Sequence, residues 1–256
     1  MGFPPGSGST QMDMAMDYKI LPVGDSALTI VFGKEIDPEI SRIVRGARKY
    51  LAKKNLRGVT EYVQTYATLM VHYRPIVIGY DELAEEIDRE LSVMNLDSGR
   101  MKKKTIVIPV CYGGEYGPDL RTVSEHAGIS EEEVVRRHSS AEYQIYMLGF
   151  MPGFVYLGGM DKSISTPRLK DPRERLEKGS VGIAGDQTGI YPLVSPGGWQ
   201  IIGRTPLDLY DHDREKPILY EAGEFIRFVP ISKEEFGGIR RAIETNSYEY
   251  QWIRED

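Results

Sequence analysis

A single cysteine stands among the 256 residues. Cys111 has no partner in the chain, which excludes a disulfide-stapled scaffold and fits a reducing compartment. It ends the apolar run Ile106-Val107-Ile108-Pro109-Val110, where a small hydrophobe is the ordinary occupant. No histidine stands in a pattern that would make it a nucleophile. Apolar runs of the roughly 20 residues needed to span a bilayer are missing. Lys and Arg total 32 against 38 Asp and Glu, a formal charge of -6, so there is no basic footprint for nucleic acid. The basic run Lys102-Lys103-Lys104 is short and precedes a strand pattern, so it reads as a solvated linker. The four histidines His72, His126, His138 and His212 are scattered, with no His-x-x-x-His or cysteine pair, and no metal site is expected. Gly159-Met160-Asp161-Lys162-Ser163 lacks the glycine spacing of a Walker A loop. No G-x-G-x-x-G follows a strand, and no G-x-S-x-G elbow occurs.

The hydrophobic share of 41% and the charged share of 27% are those of an ordinary globular chain. Its length suits two modest domains. Residues 1–16 begin with a Gly/Pro/Ser-rich stretch that lacks a basic n-region and an apolar h-region, and are expected to be an expression leader or flexible tail. A cytoplasmic location is expected.

Residues 17–98 read as a small α+β domain. Strand runs at 18–23 and 27–32 flank Gly24-Asp25-Ser26, a turn signal. Asp37-Pro38-Glu39 opens a helix, with Asp as N-cap and Pro at the first helical position. Ile36, Ile40, Ile43, Val44, Ala47 and Leu51 give it one apolar stripe. Two more strands, at 59–66 and 68–73, precede a second amphipathic helix over 81–94. The order predicts an antiparallel sheet with both helices on one face.

Polar residues 95–104 read as a domain boundary. Over 104–231 a strand and two short helices come first, the second opened by Ser130 with Glu133 as a capping box. Short strand runs at 143–148, 154–157, 180–184, 189–192, 199–203 and 225–229 follow, separated by Gly, Pro and Asp. That pattern predicts a closed or nearly closed β-barrel. Residues 232–256, opened by Ser232, are expected to be a helical segment packed on the body.

The segment 143–210 has the composition of a binding pocket. Gly149-Phe150-Met151-Pro152-Gly153-Phe154 sets aromatics around a Pro-Gly turn; alone it is read as a hairpin corner with both rings in the core. Ser165 to Arg173 carries two Pro-Arg pairs. Arg168 and Arg173 suit a carboxylate or phosphoryl group; the equal reading is a rigid surface loop paired with Glu174 and Glu177. Gly182 to Pro192 offers small residues with Gln187, Thr188 and Tyr191 as neutral hydrogen-bonding groups. Ser195-Pro196-Gly197-Gly198-Trp199-Gln200 adds a second Gly-rich turn and an apolar wall. The segment then reaches Gly203-Arg204-Thr205-Pro206. His138 lies at the end of a helix, which favours the protonated ring, although a capping or core histidine is the more common case.

Taken in order, these motifs resemble the KipI/PxpB family, also called allophanate hydrolase subunit 1. The resemblance runs through His138-Ser139, Tyr156-Leu157-Gly158-Gly159, Pro167-Arg168, Pro172-Arg173, Gln187-Thr188-Gly189, Ser195-Pro196-Gly197-Gly198-Trp199 and Gly203-Arg204-Thr205-Pro206. It extends to Gly24-Asp25 and to Tyr112-Gly113-Gly114-Glu115-Tyr116-Gly117-Pro118, from about Asp17 to Pro230. It implies an α+β chain in which a small N-terminal α+β domain precedes a cyclophilin-like β-barrel domain.

The activity implied is that of the PxpB-type subunit of an ATP-dependent 5-oxoprolinase, which opens 5-oxoproline to glutamate. KipA/PxpC-type and PxpA-type subunits are the implied partners, with ATP bound at or with one of them. On that reading Arg168, Arg173 and Arg204 contact an anion, Gln187 and Tyr191 position the amide, and His138 is the catalytic proton-transfer candidate. The alternative is a binding module, a KipI-like inhibitor of a sensor histidine kinase. Urea or allophanate chemistry ranks below 5-oxoproline, since no biotin-acceptor sequence is present. Proline isomerisation rests on the barrel type alone.

Overall fold

The computed structural model describes residues 17–95 and 103–254; the expected leader at 1–16 and most of the expected linker lie outside them. Strands β1 (Lys19–Val23) and β2 (Ala27–Val31) turn back on each other at Gly24, whose φ of +61° suits glycine. Helix α1 (Pro38–Lys54) starts where Asp37 accepts from the backbone N–H of Glu39 and Ile40, and stops at Asn55 in the left-handed region. After it come β3 (Val59–Gln64), β4 (Thr68–Tyr73) and α2 (Tyr80–Ser92). The strand order is β1-β2-β4-β3, antiparallel throughout. Leu28, Ile30, Leu69 and Val71 of the sheet share one core with Val44, Ala47 and Leu51 of α1 and with Leu83, Ile87 and Leu91 of α2. Both helices therefore cover the same sheet face, as the periodicity predicts.

The second unit begins with β5 (Lys104–Tyr112), α3 (Leu120–Ala127), α4 (Glu131–Ser140), β6 (Glu142–Leu148) and β7 (Val155–Gly158). It continues through β8 (Arg173–Leu176), β9 (Ser180–Ala184), β10 (Gln187–Ile190), β11 (Ser195–Gly197), β12 (Gln200–Arg204) and β13 (Phe225–Pro230). The sheet order β12-β9-β10-β7-β6-β13-β5 is closed by pairing of β12 with β5, at Gly203↔Tyr112 and Arg204↔Cys111. The result is a seven-stranded closed barrel, antiparallel except for the β13–β5 pair. Ile106, Ile108, Val110, Tyr143, Ile145, Val155, Leu157, Val181, Ile183, Ile190, Ile202, Ile226 and Phe228 fill its interior. Cys111 is buried at a strand end, as an apolar residue would be.

Three details differ from the sequence reading. β8 and β11 form a separate two-stranded ribbon inside what reads as loop. Ser130 caps α4 by accepting from Glu133 N–H, but the Glu133 carboxylate turns to Arg136 and Arg137, so the reciprocal box is absent there. It forms instead at Ser232 and Glu235, which open α5 (Lys233–Glu244). Lastly, the chain beyond α5 is not helical to its end. Strand β14 (Trp252–Arg254) pairs with β5 over Lys104–Ile106, on the same β5 edge that β12 uses farther along. A nine-residue strand thus serves two short partners on one edge, so the edge is covered rather than left as a template for aggregation.

Candidate functional site

Alternation along the barrel strands sorts side chains into two sets. On β7, Val155 and Leu157 point inward, so Phe154 and Tyr156 stand on the outer face. On β9 and β10, Val181, Ile183 and Ile190 point inward, which leaves Gly182, Ala184, Gln187 and Gly189 outside. Phe154, Leu176, Ala184, Tyr191, Trp199 and Ile201 make a second apolar cluster there, with Met151 and Tyr156 packed against it. The glycines allow the rings to lie against the sheet. A Cβ at Gly189 would sit 2.7 Å from the Val155 carbonyl oxygen and 3.0 Å from the Trp199 ring.

The rings meet edge to face. Phe154 stands 5.1 Å from Tyr191 and 5.6 Å from Trp199, centroid to centroid, the arrangement aromatic quadrupoles favour. Phe150 caps the cluster, 5.5 Å from Phe154, while 65% exposed and held at φ +69°. A non-glycine residue in that region costs of order 1 kcal/mol or more, and here the strain presents an apolar ring to solvent at the rim. The hairpin-corner reading of Gly149–Phe154 holds for Phe154, which is buried, and fails for Phe150.

The guanidinium of Arg168 lies over the Trp199 ring at 5.8 Å. Its positive charge also reaches Tyr66 and Tyr191, favouring their ionised forms slightly, while burial dominates and raises both phenols. Tyr191 reaches about 12. Gln187 donates from Nε2 to the Tyr66 hydroxyl at 2.7 Å. Tyr66, on the β3–β4 turn of the N-terminal unit, packs edge-on against Tyr146 and Tyr156 of the barrel. The N-terminal unit, which carries no functional signal in the sequence, therefore forms one wall of this face.

Arg168, Gln187 and Tyr191 are thus brought together. Tyr191 is buried within the cluster, and its hydroxyl is packed where a Cβ on Gly197 would come within 2.6 Å. Arg173 is not an open anion contact. It makes two hydrogen bonds to Asp119, Nη1 to Oδ2 at 2.8 Å and Nη2 to Oδ1 at 2.7 Å, and does not pair with Glu174 or Glu177. Asp119 Oδ2 also accepts from the Ile201 N–H at 2.6 Å, so this pair pins the Arg168 loop to β12. Arg204 ends β12, four residues from Gln200 and so about 13 Å farther along the strand. There it faces Tyr116 and donates to the Glu115 carbonyl, away from the aromatic face.

His138 requires the largest correction. It is fully buried at the end of α4, stacked on Phe228 at 4.6 Å. Tyr112 O–H faces Nδ1 at 2.8 Å, and Nε2 faces Thr188 Oγ1 at 2.8 Å. Because Thr188 donates its own proton to the Gly182 carbonyl, its oxygen accepts from Nε2–H and Nδ1 accepts from Tyr112. Burial pushes the ring pKa down to about 3, so desolvation overrides the helix-end effect. With both nitrogens engaged and no exposed edge, His138 belongs to the core and does not touch a substrate.

Sequence reasoning misses Tyr66 and Asp119. Asp119 has a faint signal as a helix-opening aspartate, but it caps nothing; Tyr66 has none. Among the described residues, Asp211, His212 and Asp213 lie close enough to share an ion, but His212 and Asp213 are exposed and none of the three belongs to the aromatic cluster.

The chain has relatives among known proteins. Residues 18–220 match the carboxyltransferase domain, subdomain C and D. The chain is 54% identical over 213 residues to the B-type subunit of 5-oxoprolinase from Escherichia coli O157:H7, covering 81% of this chain and 94% of that one. It is 40% identical over 233 residues to the B-type subunit of 5-oxoprolinase from Bacillus subtilis, covering 87% and 97%. The solved K. lactis urea amidolyase superposes with a TM-score of 0.79 at 19% identity, over 96% of this chain and 17% of that one, a likeness of fold.

Proposed function

Because the chain belongs to the carboxyltransferase subdomain C and D family, and within it to the KipI/PxpB group, we propose that it is the PxpB-type subunit of an ATP-dependent 5-oxoprolinase. The observation that carries the reading is its likeness, over nearly their whole length, to two chains that bear that subunit's name. In this reading the outer face of the barrel receives 5-oxoproline. The lactam ring lies against the exposed Phe150 and the part-exposed Tyr156, which cover the buried Phe154, Tyr191 and Trp199, the carboxylate meets Arg168, and Gln187 turns its amide oxygen to the lactam N–H. Tyr66 holds the other end of Gln187 and so fixes its orientation.

The residues of this face do not fit a triphosphate. Arg168 is the cation over its rings, Arg173 is committed to Asp119, and Arg204 lies at the far end of β12. ATP is accordingly assigned to a partner of KipA/PxpC or PxpA type, and ring opening to the assembled complex. The work of this chain is to hold and orient the lactam and to shield it from water.

The test is reconstitution. The purified chain is mixed with its two partner subunits, ATP and 5-oxoproline, and glutamate release is followed. Release that requires this chain is expected; no glutamate from the complete mixture overturns the reading.

A further inference from the structure

A cleft of about 310 Å³ opens between α1 and the barrel, at the lower end of the roughly 300–1,000 Å³ typical of ligand sites. Arg45 of α1 lines it together with Gln144 of β6, Lys103, Lys104 and the turn 221–225 before β13. Gln144 and Tyr146 share the outer face of β6, and Tyr146 packs on Tyr66. The cleft therefore lies beyond the Tyr66–Tyr146 contact from the aromatic face.

Arg45 is the unusual group. Its side chain is part-buried, and its pKa is lowered, chiefly by desolvation and then by neighbouring Arg42. Nη1 donates to Ser41 Oγ at 2.8 Å. With its amide turned to face the guanidinium, Gln144 Oε1 accepts from Nη1 at 2.9 Å and from Nη2 at 3.3 Å. Both partners are neutral. A guanidinium has five N–H donors; these contacts leave one on Nη2 and the one on Nε, which is buried without a partner. Nε is closed off against Gly223, so the free N–H of Nη2 is the donor that a carboxylate or phosphoryl oxygen in the cleft engages.

The carboxylates around the cleft are engaged elsewhere. Glu224 holds Lys104 at 2.7 Å and the Glu221 N–H at 3.0 Å, Glu221 faces Lys216 at 3.5 Å, and Glu142 pairs with Lys103 and Arg227. Among the described residues none pairs with Arg45. A partly buried charge without a counter-ion is unfavourable. The fold nevertheless presses this one against Gly223, whose φ is +98° and where a Cβ would come within 2.7 Å of Arg45 Cδ and Nε.

We propose that this interdomain cleft is a binding site for a small oxyanion, a carboxylate or phosphoryl group held by Nη2 of Arg45. The inference does not depend on the function of the aromatic face.

The test is calorimetric titration of the whole chain with inorganic phosphate and, separately, with acetate. The wild type is compared with Arg45→Met, which removes the charge, and Arg45→Lys, which keeps it without the fork. Binding of at least one anion by the wild type is expected, weakened about tenfold or more in Arg45→Met, about 1.4 kcal/mol or more, and about fivefold in Arg45→Lys. Phosphate binding without acetate binding assigns a phosphoryl group, and the reverse a carboxylate. No binding of either anion to the wild type overturns the proposal, as does equal binding by Arg45→Met. Should Arg45→Met not fold, equal binding by wild type and Arg45→Lys overturns the assignment to the Arg45 guanidinium.

Discussion

Arg173 and Asp119 face each other fork to fork, with both bonds under 3 Å and the aspartate side chain only 7% exposed. The same carboxylate takes the Ile201 N–H, so one acidic group joins the start of β8, and with it the end of the Arg168 loop, to the strand carrying Gln200. Removing it strands a half-buried guanidinium and a buried backbone donor. Asp119→Ala is expected to cost about 2–4 kcal/mol, read as a lower urea midpoint at constant slope. Arg168 sits on the loop so released, so 5-oxoproline turnover by the reconstituted complex should fall as well. A midpoint unchanged from the wild type contradicts the assignment.

His138 makes a prediction for acid. Its folded pKa of about 3 lies below the ordinary value of 6.5, so the unfolded chain takes up a proton that the folded chain refuses. Stability from this group is complete above about pH 6.5 and is lost progressively as pH falls toward 3, at most ~1.4 kcal/mol per unit. Unfolding free energies measured from about pH 7 down to pH 4 should decline, and His138→Gln should flatten the decline while lowering stability at pH 7. An equally steep decline in the variant would assign acid sensitivity to other groups.

The alkaline side has the opposite sign. Tyr66, Tyr143, Tyr191 and Tyr220 all have phenols raised by burial. Above about pH 10 the unfolded chain loses protons that the folded chain keeps, so stability falls as pH rises. Phenolate absorbance should show a slow or late fraction that titrates only on unfolding. A single early titration of every tyrosine, with the fold intact, would contradict the burial.

The barrel is legible because closely spaced turns and period-two runs leave few alternatives, and the α1 stripe because its apolar positions repeat at helical spacing. The site is legible only in part. Arg168 and Gln187 are legible as polar groups of the 143–210 segment, but nothing in their separate motifs sets one beside the other. Arg173 and Arg204 carry the same side chain and the same Pro or Gly context, yet a buried aspartate 54 residues away takes one, and strand length carries the other to the barrel's end. His138 misleads because a helix terminus is visible in sequence, whereas the desolvation that outweighs it comes from Phe228 and Tyr143, neither of which the helix pattern reveals. Tyr66 escapes notice because its role exists only once two units meet.

Arg168 distinguishes a functional face from a packed one. It is exposed, and its contact is with the Trp199 ring, so Arg168→Met should leave the urea midpoint within about 0.5 kcal/mol of wild type. If its guanidinium meets the substrate carboxylate, kcat/KM of the reconstituted complex falls by about 10- to 100-fold, corresponding to roughly 1.4–2.8 kcal/mol. Unaltered kinetics would remove Arg168 from the site.

The contact between Gln187 and Tyr66 decides whether the N-terminal unit takes part. Tyr66→Phe keeps the ring against Tyr146 and Tyr156 and deletes only the hydroxyl that receives the Gln187 amide at 2.7 Å. Losing one such bond costs about 1 kcal/mol of stability. The more informative readout is kinetic, because a Gln187 freed to rotate no longer offers its amide oxygen in one direction. A kcat loss of several-fold or more in Tyr66→Phe, shared by Gln187→Leu and not deepened in the double variant, places both residues in one unit acting on the lactam. Losses that multiply in the double variant would mean that they act separately and that Tyr66 does no more than pack the two units together.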